Sequence, residues 1–319
     1  MSTALITGAS GFAGPYLARH LRQLGYDVVC GSHLPEARIA RFSPPEDHTW
    51  VNLDVTDRKE LQRIVAEERP DEVYHLAGLT RPTSGQAEEF YRVNFGGALN
   101  LLETIREDAP EAKVLLVGSA YAYGRVDHPI SESQLLEPVN HYGVSKAAAD
   151  LLGFGYALEG IHVVRARPFN HTGVHQSPDF VLPSLVQQFA EIKAGRREPR
   201  VRLGNLNSVR DFSDVRDIVR GYELALQKGR NGEAYNLASG EGVSVRGIFE
   251  LVSAEAGIEA ELTVEPTRMR PTEIPYLVAD VSKASKELEW EAQIPLKQTI
   301  REMLLTVQGE LAKHGGANM

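Results

Sequence analysis

The chain has 319 residues, 42% hydrophobic and 24% charged, with a formal net charge of -9. That is enough for one large or two closely joined domains and excludes wholesale disorder. The acidic balance argues against a nucleic-acid polymer as ligand, although a local basic pocket for one phosphorylated small molecule stays compatible. The single cysteine, Cys30, excludes an intrachain disulfide and a cysteine-held zinc or iron–sulfur centre.

In chain order, Ala4-Leu5-Ile6 opens the sequence without the basic-then-apolar layout of a signal peptide. No run of about 18 apolar residues follows that would span a membrane, so a cytoplasmic protein with no membrane partner is expected. Ala4–Ile6, Asp27–Cys30, Trp50–Leu53, Val73–Leu76, Val114–Val117 and Val163–Ala166 read as strands, short, apolar or β-branched, and bounded by turn formers. Tyr16–Leu24, Arg58–Glu68 and Phe95–Glu107 between them carry apolar residues at helical spacing. This alternation predicts an α/β fold, a Rossmann-type doubly wound parallel sheet whose strand ends form a ligand crevice. After Arg167-Pro168 the rhythm changes. A helix over Leu182–Lys193, a basic strand over Arg200–Leu203 and a strand over Ala234–Leu237 that returns to the sheet are expected. Helices and short strands follow over Val245–Ala256, Ile258–Val264, Val281–Leu288 and Leu296–Leu311, with frayed residues from Gly315. The predicted organisation is a dinucleotide-binding domain over 1–170 with a return segment at 208–238. Residues 171–207 and 239–319 form a smaller mixed α/β substrate-binding domain.

Thr7-Gly8-Ala9-Ser10-Gly11-Phe12-Ala13-Gly14 lies between the first strand and first helix. Glycines there let backbone amides and a helix N-terminus meet a pyrophosphate, and Pro15 suits a first-turn position. The spacing differs from Gly-x-Gly-x-x-Gly, but its place in a βαβ unit favours dinucleotide binding over a plain tight turn. The second strand ends Cys30-Gly31-Ser32-His33, where an NAD site would carry a carboxylate for the ribose 2′-hydroxyl. Ser32, His33, Arg38 and Arg41 instead suit a 2′-phosphate, so NADP(H) is expected to be preferred, with NAD(H) possible. The plainer reading of the two arginines is a solvated loop.

Tyr142 and Lys146 in Tyr142-Gly143-Val144-Ser145-Lys146 are four apart and share a helical face. An ammonium beside a phenol favours phenolate and is expected to lower the tyrosine pKa, so that Tyr142 exchanges a proton with a carbinol oxygen as hydride moves. Such a pair often occurs by chance on a surface. Here Ser119, ending the fifth strand, adds a hydroxyl for the same oxygen.

With these residues in place, the sequence resembles the extended short-chain dehydrogenase/reductase family, in its nucleotide-sugar branch, over essentially the whole chain. The resemblance places the catalytic triad on Ser119, Tyr142 and Lys146. Its cofactor glycines fall on Gly8, Gly11 and Gly14, flanked by Ser10 and Phe12. The adenine-contacting acid falls on Asp54, beside Val55, the strand-four motif on His75-Leu76-Ala77-Gly78, and the structural asparagine on Asn94.

Arg167-Pro168-Phe169-Asn170-His171-Thr172-Gly173, Gly204-Asn205-Leu206 and Val209–Asp217 look like the branch acting on GDP-linked sugars. That resemblance implies NADPH-dependent reduction of the C4 keto group of GDP-4-keto-6-deoxy-mannose to GDP-rhamnose. Asn170, Arg210 and Arg270 would hold the diphosphate and sugar, with Thr80, Tyr121, Val181 and Lys193 as further substrate contacts. A planar guanidinium suits phosphate. The plainer reading of Arg210 is a salt bridge to Asp211 or Asp214. Val174-His175-Gln176 departs from the branch's usual Pro-Gly-Gln, and Arg81 is unusual beside Thr80.

Related 4,6-dehydratases carry an Asp-Glu pair after the triad hydroxyl. Here Ala120-Tyr121 stands there, leaving no evident acid and base for removing water. The alternatives are a 4-epimerase with tightly held NAD, which the NADP preference disfavours, and a non-catalytic NADP-sensing regulator, which the intact Tyr142 and Lys146 disfavour. The branch's two-fold helical interface would fall on Phe95–Glu107 and Gly143–Leu152, so a homodimer is expected. The plainer reading of Ala147-Ala148-Ala149 is packing on the chain's own sheet.

Overall fold

The computed structural model describes residues 2–34, 49–81, 84–265 and 274–315. Six strands alternate with helices as the apolar runs predict: β1 (Thr3–Thr7), β2 (Asp27–Ser32), β3 (Thr49–Asn52), β4 (Glu72–His75), β5 (Lys113–Val117) and β6 (Val163–Pro168). With β10 (Ala234–Leu237) they form one sheet in the order β10-β6-β5-β4-β1-β2-β3. Every pairing in it is parallel. The order reverses between β1 and β4, and in open α/β sheets ligands settle at the carboxyl ends of strands at such a switch point.

Consecutive strand residues face opposite sides, so the sheet has two cores. Ile6, Cys30, Tyr74 and Leu115 pack beneath helices α1 (Gly14–Gln23) and α6 (Val215–Lys228). Leu5, Val29, Val73 and Leu116 pack beneath α2 (Arg58–Glu68), α3 (Gly97–Asp108) and α4 (His141–Leu158). Both faces are covered, which is why the strands read as continuous apolar runs rather than alternating ones.

A third core gathers α5 (Val181–Lys193), α7 (Val245–Ala256) and α8 (Leu296–Gly315) around Leu185, Phe189, Ile248 and Ile300. Beside it β8 (Arg200–Leu203) pairs with β12 (Glu261–Val264). β7 (Asn170–Thr172), β9 (Val209–Asp214), β11 (Gly242–Ser244) and β13 (Tyr276–Leu277) make a small mixed sheet.

One element differs from the sequence reading. The segment read as one helix over Phe95–Glu107 begins as a π-turn at Tyr91–Gly96 before α3. Such widened turns cluster at functional sites, and this one carries Asn94. The motif at Val209–Asp217 is a strand running into a helix, its polar residues buried because each acid is bonded: Asp211 accepts from Ser239 and Gly240, and Asp214 caps α6 at Arg216. Among the described residues, no helix is long and apolar enough to cross a membrane.

Candidate active site

The glycine turn sits at the switch point. Gly8 has φ +69, and a Cβ there would lie 2.6 Å from the Ala77 backbone, so only glycine lets the β1 turn abut the β4 loop. Gly11 N–H donates to the Gly8 carbonyl at 2.9 Å and Gly14 N–H to that of Gly11 at 3.3 Å. Ala13 at the N-cap of α1 offers no side-chain acceptor, and Pro15 in the first turn needs none. Gly14 N–H is held by Gly11 and Pro15 has none, so what this helix start offers an anion is its positive dipole end, with no side-chain cap competing for it. Ser32, buried at the end of β2, donates to Ser10 Oγ at 2.7 Å and accepts from the Leu34 amide at 3.0 Å. His33 beside it is exposed. Asp54, exposed past β3, accepts from Thr56 N–H and Oγ1 at 2.9 and 2.8 Å, and buried Val55 packs on Gly97. Phe12 stacks on His171 with centroids 6.0 Å apart. Leu76, Ala77 and Gly78 run out of β4 along the same edge. Arg38, Arg41, Arg270 and Pro271 lie outside the described residues.

Ser119 stands two residues past β5, capping a short turn at Ala120–Ala122, and Tyr142 stands in the first turn of α4, whose start Asn140 fixes by accepting from Gly143 N–H at 2.8 Å. Ser119 hydrogen-bonds the Tyr142 hydroxyl, while Tyr121 meets the ring edge-on at 5.8 Å and Phe90 at 5.9 Å. One turn on, Lys146 Nζ donates to the Val117 carbonyl at 2.9 Å. A Cβ on Gly78 would lie 3.1 Å from that ammonium, so the absent side chain leaves room for it. Asn94 ties the walls together, accepting from Leu79 N–H at 2.7 Å and donating to the Leu79 carbonyl at 3.1 Å and to Ser145 Oγ at 2.9 Å. Ser145 in turn donates to the Tyr142 carbonyl at 2.8 Å. Sequence reasoning passed over Ser145 and Asn140, although both flank the Tyr–Lys pair.

The electrostatics correct one expectation. Burial pushes the Tyr142 phenol up to about 12, with the Ser119 hydrogen bond pulling the other way; Lys146 is not among the causes. The lysine gives one of its three N–H donors to the Val117 carbonyl, and burial brings its pKa down to about 8. Burial and the nearby Lys146 hold His75 at about 3, so it is a neutral partner of Thr7, Nδ1 to Oγ1 at 2.8 Å. The site at rest therefore holds a neutral phenol, which is a proton donor rather than a base.

The second half contributes unevenly. Asn170 opens β7, Val181 opens α5 and Thr80 is exposed at the end of the β4 loop. Arg210 is buried in β9 and donates to the Val209 carbonyl at 2.8 Å. Asp211 and Asp214, its supposed ion-pair partners, are bonded to Ser239, Gly240, Arg216 and Thr299 instead. Lys193 ends α5, about 18 Å from Val181 by helical rise, and donates to the Ala256 carbonyl at 3.1 Å. The exposed apolar face of α4 is also not the alanine run. Ala147 and Ala149 are buried, whereas Val144, Leu151, Phe154 and Leu158 face outward. Behind α1 lies a cavity of about 260 Å³ lined in part by Tyr16, Asp214, Arg216, Thr299 and Glu302. Tyr16 donates to the Val174 carbonyl, and Arg216 bridges Asp214 and Glu302 at 2.8 Å each.

Comparison with known proteins places this geometry among relatives. The family described as GDP-mannose 4,6 dehydratase matches residues 5–303. The chain is 32% identical over 305 residues to a GDP-6-deoxy-D-mannose reductase of Pseudomonas aeruginosa, covering 94% of this chain and 95% of that one. It is 32% identical over 282 residues to a GDP-6-deoxy-D-talose 4-dehydrogenase of Aggregatibacter actinomycetemcomitans, covering 88% of each. The structure of RMD from Pseudomonas aeruginosa complexed with NADPH superposes with a TM-score of 0.84 at 30% identity, over 97% of this chain and all of that one, 100%.

Proposed function

The chain belongs to the GDP-mannose 4,6-dehydratase family of extended short-chain dehydrogenase/reductases, and we propose that it reduces the C4 ketone of GDP-4-keto-6-deoxy-mannose with NADPH to give GDP-rhamnose. One observation carries the choice of reaction within the family. Tyr142 is ringed by Ser119, Tyr121 and Phe90, none of them a carboxylate, and the position after Ser119 is a fully buried alanine, Ala120. Elimination of water needs an acid and a base at the sugar; reduction needs one proton donor.

The residues present suit a dinucleotide. The glycine turn and the positive end of α1, uncapped by any side chain, suit a pyrophosphate, and the Ser10–Ser32 pair stands where a carboxylate would repel a 2′-phosphate. When bound, NADPH supplies the hydride. Tyr142, neutral through burial, gives its proton to the C4 oxygen, which Ser119 orients. Lys146 would hold the nicotinamide ribose and stabilise the phenolate left behind. Asn170 and Arg210 would hold the sugar nucleotide, with Arg270 as a further candidate. The segments 1–170 and 208–238 would serve the cofactor and the remainder the substrate.

The direct test supplies purified protein with the GDP-linked 4-keto sugar and NADPH and follows nicotinamide absorbance and product. Stoichiometric oxidation with formation of a GDP-6-deoxyhexose is expected. Protein that arrives with stoichiometric NAD and interconverts C4 epimers without reductant would be an epimerase instead.

Three further outcomes are expected. Ser32→Asp places a carboxylate against the 2′-phosphate and should reverse the NADPH-over-NADH preference in kcat/KM by at least about tenfold, roughly 1.4 kcal/mol; equal efficiency in the wild type would contradict the assignment. In the reductive direction kcat/KM should be level across neutral pH and fall above about 8 as Lys146 loses its proton. Lys146→Arg should remove that alkaline limb even where it lowers the rate, and an unchanged limb would assign it elsewhere. The chain should also form a homodimer through Val144, Leu151, Phe154 and Leu158, an apolar row at helical spacing suited to a two-fold mate. Light scattering should give twice the chain mass, and Leu151→Glu with Phe154→Glu should give the monomer; a monomeric wild type would contradict this.

A further inference from the structure

Among the described residues, Arg81 joins the β4 loop to the distant substrate-side segment. Arg81 Nη2 donates to the Asp179 carbonyl at 2.7 Å, its Nη1 lies 3.4 Å from Asp179 Oδ2, and its guanidinium sits 5.7 Å over the Phe180 ring. Three contacts from one group join residues 98 positions apart. The neighbours on both sides are at the crevice. Leu79 is held by Asn94, which is bonded to Ser145 of the catalytic helix, and Phe180 immediately precedes Val181, which opens α5. The place is the rim rather than the floor. Arg81 is 49% and Asp179 66% exposed, whereas the Phe12–His171 stack and the Tyr16–Val174 hydrogen bond knit the two parts together deeper in.

We infer that Arg81, Asp179 and Phe180 form a clasp across the mouth of the substrate crevice, open as sugar nucleotide enters and closed behind it, so that Arg81 is a positioning residue for substrate retention. A surface ion pair alone contributes little. A guanidinium that also bonds a carbonyl and covers an aromatic face contributes more, yet stays weak enough to open in each cycle. Arg81 lies beside the residues assigned to the sugar but spends its donors on protein, which separates it from a direct phosphate ligand. The inference rests on the reading that this crevice takes a sugar nucleotide.

The test uses the full chain and the variants Arg81→Met, Asp179→Asn/Phe180→Leu and the two combined. With the GDP-linked 4-keto sugar, Arg81→Met, which removes all three contacts, should raise KM roughly three- to tenfold; Asp179→Asn/Phe180→Leu, which keeps only the carbonyl bond, should raise it by a smaller factor, with kcat and NADPH affinity little changed in both. The combined variant should be no worse than Arg81→Met alone, because that variant has no contact left to lose. Hydrogen exchange without sugar nucleotide supplies a readout independent of turnover. Amides in Leu79–Arg81 and Asp179–Val181 should exchange faster together in either variant. If Arg81→Met impairs binding while Asp179→Asn/Phe180→Leu is harmless, Arg81 contacts substrate directly and the clasp is overturned. Faster exchange confined to the mutated segment overturns it as well. Coupled exchange in a protein that does not reduce the 4-keto sugar would leave the clasp standing and remove the proposed reaction.

Discussion

Tyr142→Phe should lower kcat by about 10²–10⁴-fold, the usual scale for a lost proton donor, while NADPH affinity changes by no more than about twofold (under about half a kcal/mol). The substitution removes one oxygen. The ring keeps its contacts with Tyr121 and Phe90, and the Lys146–Val117 bond, which does not involve the phenol, stays in place. What is lost is the proton that burial holds on the hydroxyl well above neutral pH. Steady-state turnover with fluorescence titration of NADPH checks both halves. A variant that keeps substantial activity would move the proton donor elsewhere, whereas one that loses cofactor binding equally would make Tyr142 a structural residue.

Asp150→Asn should destabilise the fold by about 3–5 kcal/mol, the scale for leaving a buried charge without its partner. Asp150 is 2% exposed, one turn beyond Lys146 on α4, and receives Arg165 Nη1 at 2.6 Å and Arg167 Nε and Nη2 at 2.8 and 2.7 Å. Both arginines are buried in β6, and Arg167 also donates to the Tyr123 hydroxyl at 2.9 Å. Neutral asparagine keeps the shape but leaves two cations beneath the catalytic helix. Arg165 retains the Gly232 carbonyl at 2.7 Å, so Arg167 bears most of the loss. Denaturant unfolding measures the change. Protein that remains folded should keep most of its kcat, since Asp150 touches neither Tyr142 nor Ser119. Stability within about 1 kcal/mol of wild type would mean that the pair is worth no more than its desolvation.

The sheet was legible because its strands are buried on both faces and read as unbroken apolar runs: Leu5 and Ile6 serve opposite cores yet are both fully buried. Gly8 and Gly14 were legible as a turn because their spacing sits between a strand and a helix, and Tyr142 and Lys146 because four residues make one turn. The π-turn at Tyr91–Gly96 was not: its Asn94 bonds Leu79, 15 residues away, a partner that local spacing does not show. Nor was the state of the tyrosine. Spacing shows that a lysine is near, but only packing shows that its ammonium goes to Val117 while burial raises the phenol. The charge of Lys193 is visible in the sequence, whereas its place at the end of α5 and its partner Ala256 are properties of the fold. Arg81, unaccounted for in the sequence, acquires its meaning from Asp179 and Phe180.

The most direct measurement follows the hydrogen itself. NADPH carrying deuterium at the transferable position of its nicotinamide is given to the wild-type protein with GDP-4-keto-6-deoxy-mannose, and the isolated sugar nucleotide is read by NMR. Deuterium at C4 of a 6-deoxyhexose, one equivalent per cofactor oxidised, is the predicted result. Label that stays on the cofactor while the sugar changes, or appears at a carbon other than C4, would contradict the account.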